Sequence, residues 1–368
     1  MQFCSPFHIP RAVQHWLLAG LLMILIQIVI GGVTRLTGSG LSITRWEVVK
    51  GSIPPLDAAA WDAAFQMYRQ TPQYQKINRG MSMEEFKFIY FWEYFHRLWA
   101  RLMFFVFIVP FFWFLWRGML SRALLPRLLA VVALAGLEGF FGWIMVASGL
   151  IQRPWVNAYN LTLHLTMALV IFSYLFWTWM TTHQPRGGIG VPVPLRRFAW
   201  SMVFVVFLQI ALGAMMSGTK AGLFYPTWPD LKGSYLPDVL LHADNWKAVH
   251  FIDYDTHPFM TALVQFLHRN TAYLLTVLLI MLGVRLLGWL RNHSDTSVPT
   301  RLRFATYATW ILLSLQVLLG ILTLLSCQGS IPVLLGVLHQ ACAVLLLTAV
   351  LYLTYQCTSA APSSTSFS

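Results

Sequence analysis

Eight stretches of this chain keep an apolar character for about 20 residues, the length a helix needs to cross the hydrocarbon of a bilayer. They fall at roughly 13–33, 88–116, 126–148, 160–180, 197–217, 264–290, 305–326 and 332–355. A soluble chain does not carry eight such runs, nor a composition 57% hydrophobic and 10% charged with a mean hydropathy of +0.63. The expectation is an all-α polytopic membrane protein. The first run lacks a small-residue cleavage site and flows into Gly31-Gly32, so it reads as a retained span and not as a removed signal peptide. Four scattered cysteines, Cys4, Cys327, Cys342 and Cys357, exclude a secreted disulfide scaffold, and 15% aromatic residues exclude disorder.

The net charge of +12 suggests a polyanion partner only until the charges are placed along the chain. The N-terminus, the 117–127, 181–197 and 285–303 loops and the C-terminus hold eleven Lys/Arg and one acid, Asp295. The opposite loops hold eleven basic and ten acidic residues. By the positive-inside rule the first set is cytoplasmic, the two long loops 34–87 and 218–263 lie outside, and both termini share the cytoplasmic side. The basic charge orients the chain in a lipid bilayer; no nucleic acid is expected.

A 29-residue stretch from Gln27 to Pro55 matches Gln209 to Pro237 without a gap, sharing Gly31/Gly213, Gly40/Gly222, Trp46/Trp228, Lys50/Lys232 and Gly51/Gly233 among others. Further on, His96-Arg97 answers His268-Arg269, and Leu163-His164 answers Leu338-His339. The fold class expected is therefore two tandem four-helix halves, residues 1–190 and 191–368, related by a pseudo-twofold along the membrane normal. Each odd-numbered span also carries an acid or amide four residues before a glycine: Gln27/Gly31, Glu138/Gly142, Gln209/Gly213 and Gln316/Gly320. Helix packing, with glycine allowing close approach and the polar group bonding across the interface, is the plainer reading; direct ligand contact is the sharper one.

Of eleven histidines, His15 stands at the very edge of the first span and only four lie deeper, His96, His164, His268 and His339, one in each even-numbered helix and each in the first part of its apolar run. A single intramembrane histidine is ordinarily a hydrogen-bonded packing residue. Four at equivalent places fit iron porphyrin, a flat apolar ring whose axial positions two facing imidazoles can take. Zinc would ask for further ligands, and only Glu93 is near. Arg97 and Arg269, next to two of the histidines, could pair with heme propionates or snorkel to the interface. The halves differ in their acids: Glu93 and Glu138 in the first are answered by Gln265 and Gln316 in the second. An ionisable group at such depth is a functional candidate.

Between the spans, Asp57 is placed to cap a helix with Trp61, Phe65 and Tyr68 on one face, and Ser82 to Glu85 reads as a capping box opening the second span. The two long loops either cover the histidine pairs as a lid or anchor to the membrane surface through their aromatic residues.

The segments GGVTRLTGSGLSITRW (31–46), TPQYQKINRGMSMEEFK (71–87) running into EYFHR (93–97), NLTLHL (160–165), AGLFYPTWPDLKGSYLP (221–237), VQFLHR (264–269) and LHQACAVLLL (338–347) together resemble the heme A synthase family, including its mitochondrial and alphaproteobacterial-type members. The resemblance covers nearly the whole chain. It implies two heme sites in an eight-helix bundle and the oxidation of a methyl group of heme O to the formyl of heme A for terminal oxidases. By that resemblance His96 and His164 face the substrate heme with Glu93 as the catalytic carboxylate, while His268 and His339 ligate a retained heme b. It also implies the farnesyltransferase that makes heme O as a partner, and leaves the electron acceptor and homo-oligomerisation open. Some members carry a cysteine pair in an outer loop; loops 34–87 and 218–263 have none, and Cys327 alone cannot replace it. The alternative from another class is a diheme cytochrome b-type carrier linked to quinone, against which the Glu/Gln difference between the halves speaks. A transporter would show broken helices at mid-membrane.

Overall fold

The computed structural model describes residues 9–45, 50–150, 153–184, 190–291 and 298–358. Trp46, Cys4 and Asp295, which enter the repeat, the cysteine count and the charge distribution, lie outside them. Twelve α-helices occur among the described residues: α1 Arg11–Leu36, α2 Ala58–Arg69, α3 Pro72–Lys76, α4 Met83–Trp116, α5 Leu125–Gly149, α6 Ala158–His183, α7 Val193–Gly218, α8 Ala221–Phe224, α9 Ala248–Ile252, α10 Phe259–Arg291, α11 Val298–Leu325 and α12 Val333–Cys357. Eight of them, α1, α4, α5, α6, α7, α10, α11 and α12, are long and apolar enough to cross a membrane. They coincide with the eight runs read from sequence, and four of the short ones decorate the long connections.

The chain divides into two compact units, Met1–Phe172 with Ile331–Val337, and Ser173–Ser330 with Leu338–Ser368. In the first, α1 lies along α4, and in the second α7 lies along α10. Pro110 inside α4 cannot donate to the carbonyl four residues back, which in lipid would leave Val106 O without a partner. The indole of Trp16 on α1 supplies the missing donor, Nε1 to Val106 O at 2.9 Å, so the proline becomes a point of attachment between the two helices. Trp99 on α4 returns the contact by donating to Met23 O at 3.0 Å. In the second unit Trp310 of α11 donates to Leu279 O of α10 at 3.2 Å, and its ring fills the space over Gly283, where a Cβ would come within 2.5 Å of it.

Helix α1 stops at a left-handed residue. Gly38 has φ +71°, and Ser39 N reaches back to Thr34 O at 2.9 Å, a closure that glycine permits without strain. At the corresponding position after α7 stands Lys220, which takes the same left-handed conformation at φ +55°. Both turns send the chain back over the end of the following long helix.

The 34–82 connection is a small folded layer. Asp57 caps α2 by accepting from Ala60 N at 2.7 Å, Thr71 caps α3, and Ser82 with Glu85 forms the capping box expected from sequence. Phe65 and Tyr68 are buried with Tyr74 against Phe86 and Ile89, with Trp61 beside them, so the aromatic face of α2 packs on the first turns of α4. Tyr68 donates its hydroxyl to Gln73 Oε1 and accepts from Asn78 Nδ2, and Gln73 in turn donates to Gly38 O at 2.9 Å. That chain of bonds ties the layer to the end of α1. In the 218–263 connection Leu240 packs on Phe259 and Ala262, and Trp246 Nε1 donates to Leu240 O.

Candidate functional site

Each intramembrane histidine meets the same two neighbours. On α4, His96 Nε2 lies 3.0 Å from Gln27 Nε2, and the amide also donates to the His96 backbone carbonyl. On α10, Gln209 Nε2 donates to His268 O at 3.0 Å and faces the ring at 3.2 and 3.4 Å. Gln316 stands 3.4 Å from His339 Nε2, and Glu138 Oε1 stands 3.1 Å from His164 Nδ1. One helical turn along, a glycine makes room for the ring. A Cβ on Gly31 would meet His96 Nε2 at 3.2 Å; on Gly142, Gly213 and Gly320 it would meet His164, His268 and His339 Cε1 at 3.1, 3.2 and 2.9 Å. The polar-x-x-x-Gly spacing is thus a collar, in which the polar group orients the imidazole and the glycine admits it. Both parts of the packing reading hold, and the side chain admitted is a histidine every time.

All four histidines are half-buried, held by protein on one side with accessible surface left on another.

The residues flanking His96 and His268 tie down the loops. Glu93 is 3% exposed, and its Oε2 accepts from Ser42 Oγ at 2.7 Å and Ile43 N at 2.8 Å, while its Oε1 pairs with Arg97. Arg97 also donates to Ile43 O and Arg45 O. In the second unit Gln265 donates to Tyr225 O, and Arg269 donates to Thr227 O and Pro229 O at 2.8 Å each and to Asp230 O. Tyr225 and Thr227 stand where the repeat sets Ile43 and Arg45: the two arginines hold the equivalent carbonyls of Arg45 and Thr227, while Ile43 O is held by Arg97 and Tyr225 O by Gln265. The Asp230 carboxyl is held below its ordinary range, first by the Thr227 hydroxyl and the Gly233 N–H and then by the Arg269 charge. The Glu93–Arg97 pair was not read from the sequence, where Arg97 was expected to meet a propionate or the membrane surface, nor were the contributions of Ser42 and Ile43 from a distant loop.

The donor set suits a porphyrin iron. Among the described residues no three His, Cys, Asp or Glu side chains converge as ligands for a bare metal ion, whereas heme asks the chain only for axial ligands. Each collar holds at least one buried polar atom without a hydrogen-bond partner: Gln27, Gln209 and Gln316 Oε1, Glu138 Oε2, and the Nδ1 atoms of His164 and His339. Buried polar atoms are ordinarily satisfied. A concentration of unsatisfied ones around four imidazoles is what a site shaped for a further group presents.

The sequence matches the model of the cytochrome oxidase assembly protein family over residues 14–351. A heme A synthase of Bradyrhizobium diazoefficiens is 42% identical over 343 residues, covering 92% of this chain and 89% of that protein. The chain belongs to the heme A synthase family. Heme A synthases of Nitrosospira multiformis and Rhodospirillum centenum are 37% and 42% identical, over 95% and 86% of this chain and 94% and 81% of theirs. The segments that resemble the heme A synthase family are those that build the collars and their loops: 31–46 contributes Gly31, Ser42 and Ile43, 93–97 contributes Glu93, His96 and Arg97, and 221–237 contributes the carbonyls held by Arg269.

Proposed function

We propose that this protein is an oxidoreductase that converts heme O to heme A, with the substrate heme held in the first half, residues 1–190, between His96 and His164. The second half, residues 191–368, retains heme b between His268 and His339. The relatives' names give the reaction, and one observation on this chain carries the assignment of the halves: equivalent settings beside equivalent histidines hold a carboxylate, Glu93, in the first half and an amide, Gln265, in the second.

Oxidation of the methyl group to a formyl proceeds in two rounds. With oxygen written as water, each round adds one oxygen to the carbon and releases two electrons and two protons to acceptors. The first gives the alcohol and the second the gem-diol, which loses water to the aldehyde. Heme b, when bound, supplies a one-electron centre. What the chain supplies is a fixed arrangement of charge. Glu93 is held by Ser42, Ile43 and Arg97 one helical turn from His96, so its charge is fixed in place near the first-half site without reorganising. It is the group able to stabilise positive charge developing beside the macrocycle and to take up a released proton. Arg97 and Arg269 hold the loops beside the two sites and carry positive charge suited to propionates. The amides of Gln27 and Gln316 face His96 and His339 Nε2 and would have to release those atoms for either to hold iron. We place the protein in the bacterial cytoplasmic membrane with both termini inside, receiving heme O from the farnesyltransferase that makes it.

The test is Glu93→Gln in the full-length protein, with extracted pigments resolved into heme O, heme A and heme b. Loss of a positioned acid–base group costs about a hundredfold or more in rate, so heme A should nearly vanish while total heme is retained, as an amide already fits beside His268. Normal heme A output from this variant rejects Glu93 as the catalytic carboxylate.

A further inference from the structure

Three of the four collars use an amide and one uses a carboxylate. Gln27, Gln209 and Gln316 bring an amide to the histidine edge; Glu138 brings an acceptor to His164, and it approaches Nδ1 at 3.1 Å. This difference lies outside the Glu93 network, since Glu138 is on α5 and Glu93 on α4. The distance is that of a hydrogen bond, although His164 Nδ1 and Glu138 Oε2 both remain without a satisfactory partner in this conformation.

We infer that Glu138 is a positioning residue that fixes the tautomer of His164 and makes it a stronger electron donor than the other three histidines. The inference rests on the reading that the first half holds a heme. With Nε2 given to iron, the proton of a neutral imidazole sits on Nδ1, where a carboxylate accepts it and raises the basicity of the ring. A glutamine at the same place is a weaker acceptor and can equally donate, so it neither selects the tautomer nor enriches the ring to the same degree. Gly142 allows the contact: a Cβ there would press on His164 Cε1 at 3.1 Å and turn the ring away from α5. The first-half iron is thereby given a lower reduction potential than its ligand type alone sets. The two hemes become inequivalent through the partner of one ligand, although the ligands themselves are alike.

The experiment is redox potentiometry with electron paramagnetic resonance on the purified, heme-loaded protein and three variants, Glu138→Gln, Glu138→Asp and Gln316→Glu. The first-half heme is assigned as the signal that disappears in His164→Ala. Glu138→Gln should raise the potential of that heme and leave the other unchanged, Glu138→Asp should restore most of the shift, and Gln316→Glu should lower the potential of the second heme. The last variant tests the same chemistry in the other half if Glu138→Gln does not fold. Unchanged potentials with heme content retained overturn the inference, as does an equal shift from Glu138→Gln and Glu138→Asp, which would trace the effect to shape. If His164→Ala removes no heme signal, the assignment of a heme to the first half falls and the inference falls with it.

Discussion

At the scale of single residues, the four glycines of the collars are the least forgiving positions, because each faces an imidazole whose place it defines. They are not equal. A methyl group on Gly320 would come within 2.9 Å of His339 Cε1, a contact that forces the ring or the helix to move, whereas Gly139 on α5 has nothing within 4 Å. On the proposed reading Gly320→Ala should therefore release the second-half heme at least about fivefold more readily, an overpacking cost of about 1–3 kcal/mol, while Gly139→Ala leaves heme content unchanged. Heme-to-protein ratios after dialysis against apomyoglobin distinguish the two; equal retention would show that the ring adapts. The spacing that places these glycines was plain in the sequence, as were the histidines they serve. That the two belong to one collar was not, because the partners lie on different helices and only the packing of α1 on α4 or α7 on α10 brings them together.

At the scale of elements, the long helices were legible because apolar length alone specifies them, and their ends were found within a few residues. The short helices α3, α8 and α9 were not read, since a turn or two of helix is decided by caps and by packing more than by periodicity. The α2 layer shows how such packing works. Tyr68 is fully buried, and burial pushes its hydroxyl up to about 12 from the ordinary value of 10. The folded layer thus prefers the protonated phenol. Its contribution is complete below pH 10 and is lost as pH rises toward 12, on the order of 2 kcal/mol across that interval. Amide exchange in residues 58–78 should accelerate over this range, and Tyr68→Phe should remove that part of the pH dependence. It should also raise exchange at neutral pH, because Gln73 and Asn78 lose their shared partner. An identical alkaline profile in the variant would assign the transition to another group.

At the scale of the whole molecule, the charge distribution predicts which side of the membrane each loop occupies. In a Cys4→Ser background, a cysteine at exposed Ala59 should react with an impermeant maleimide added to intact spheroplasts, and one at exposed Ala123 should react only after lysis. The reverse pattern would put both long connections in the cytoplasm. The division into two compact units bears on how any preparation is measured. Gln27, Gly31, His96, Glu138, Gly142 and His164 all fall in the first unit. Gln209, Gly213, His268, Gln316, Gly320 and His339 all fall in the second. Each collar is complete within its own unit, so on the two-site proposal one collar can be filled while the other is empty, and a ratio of one pigment per polypeptide does not say which. On that proposal turnover is to be normalised to occupancy of the first collar, and a preparation rich in color can still be idle.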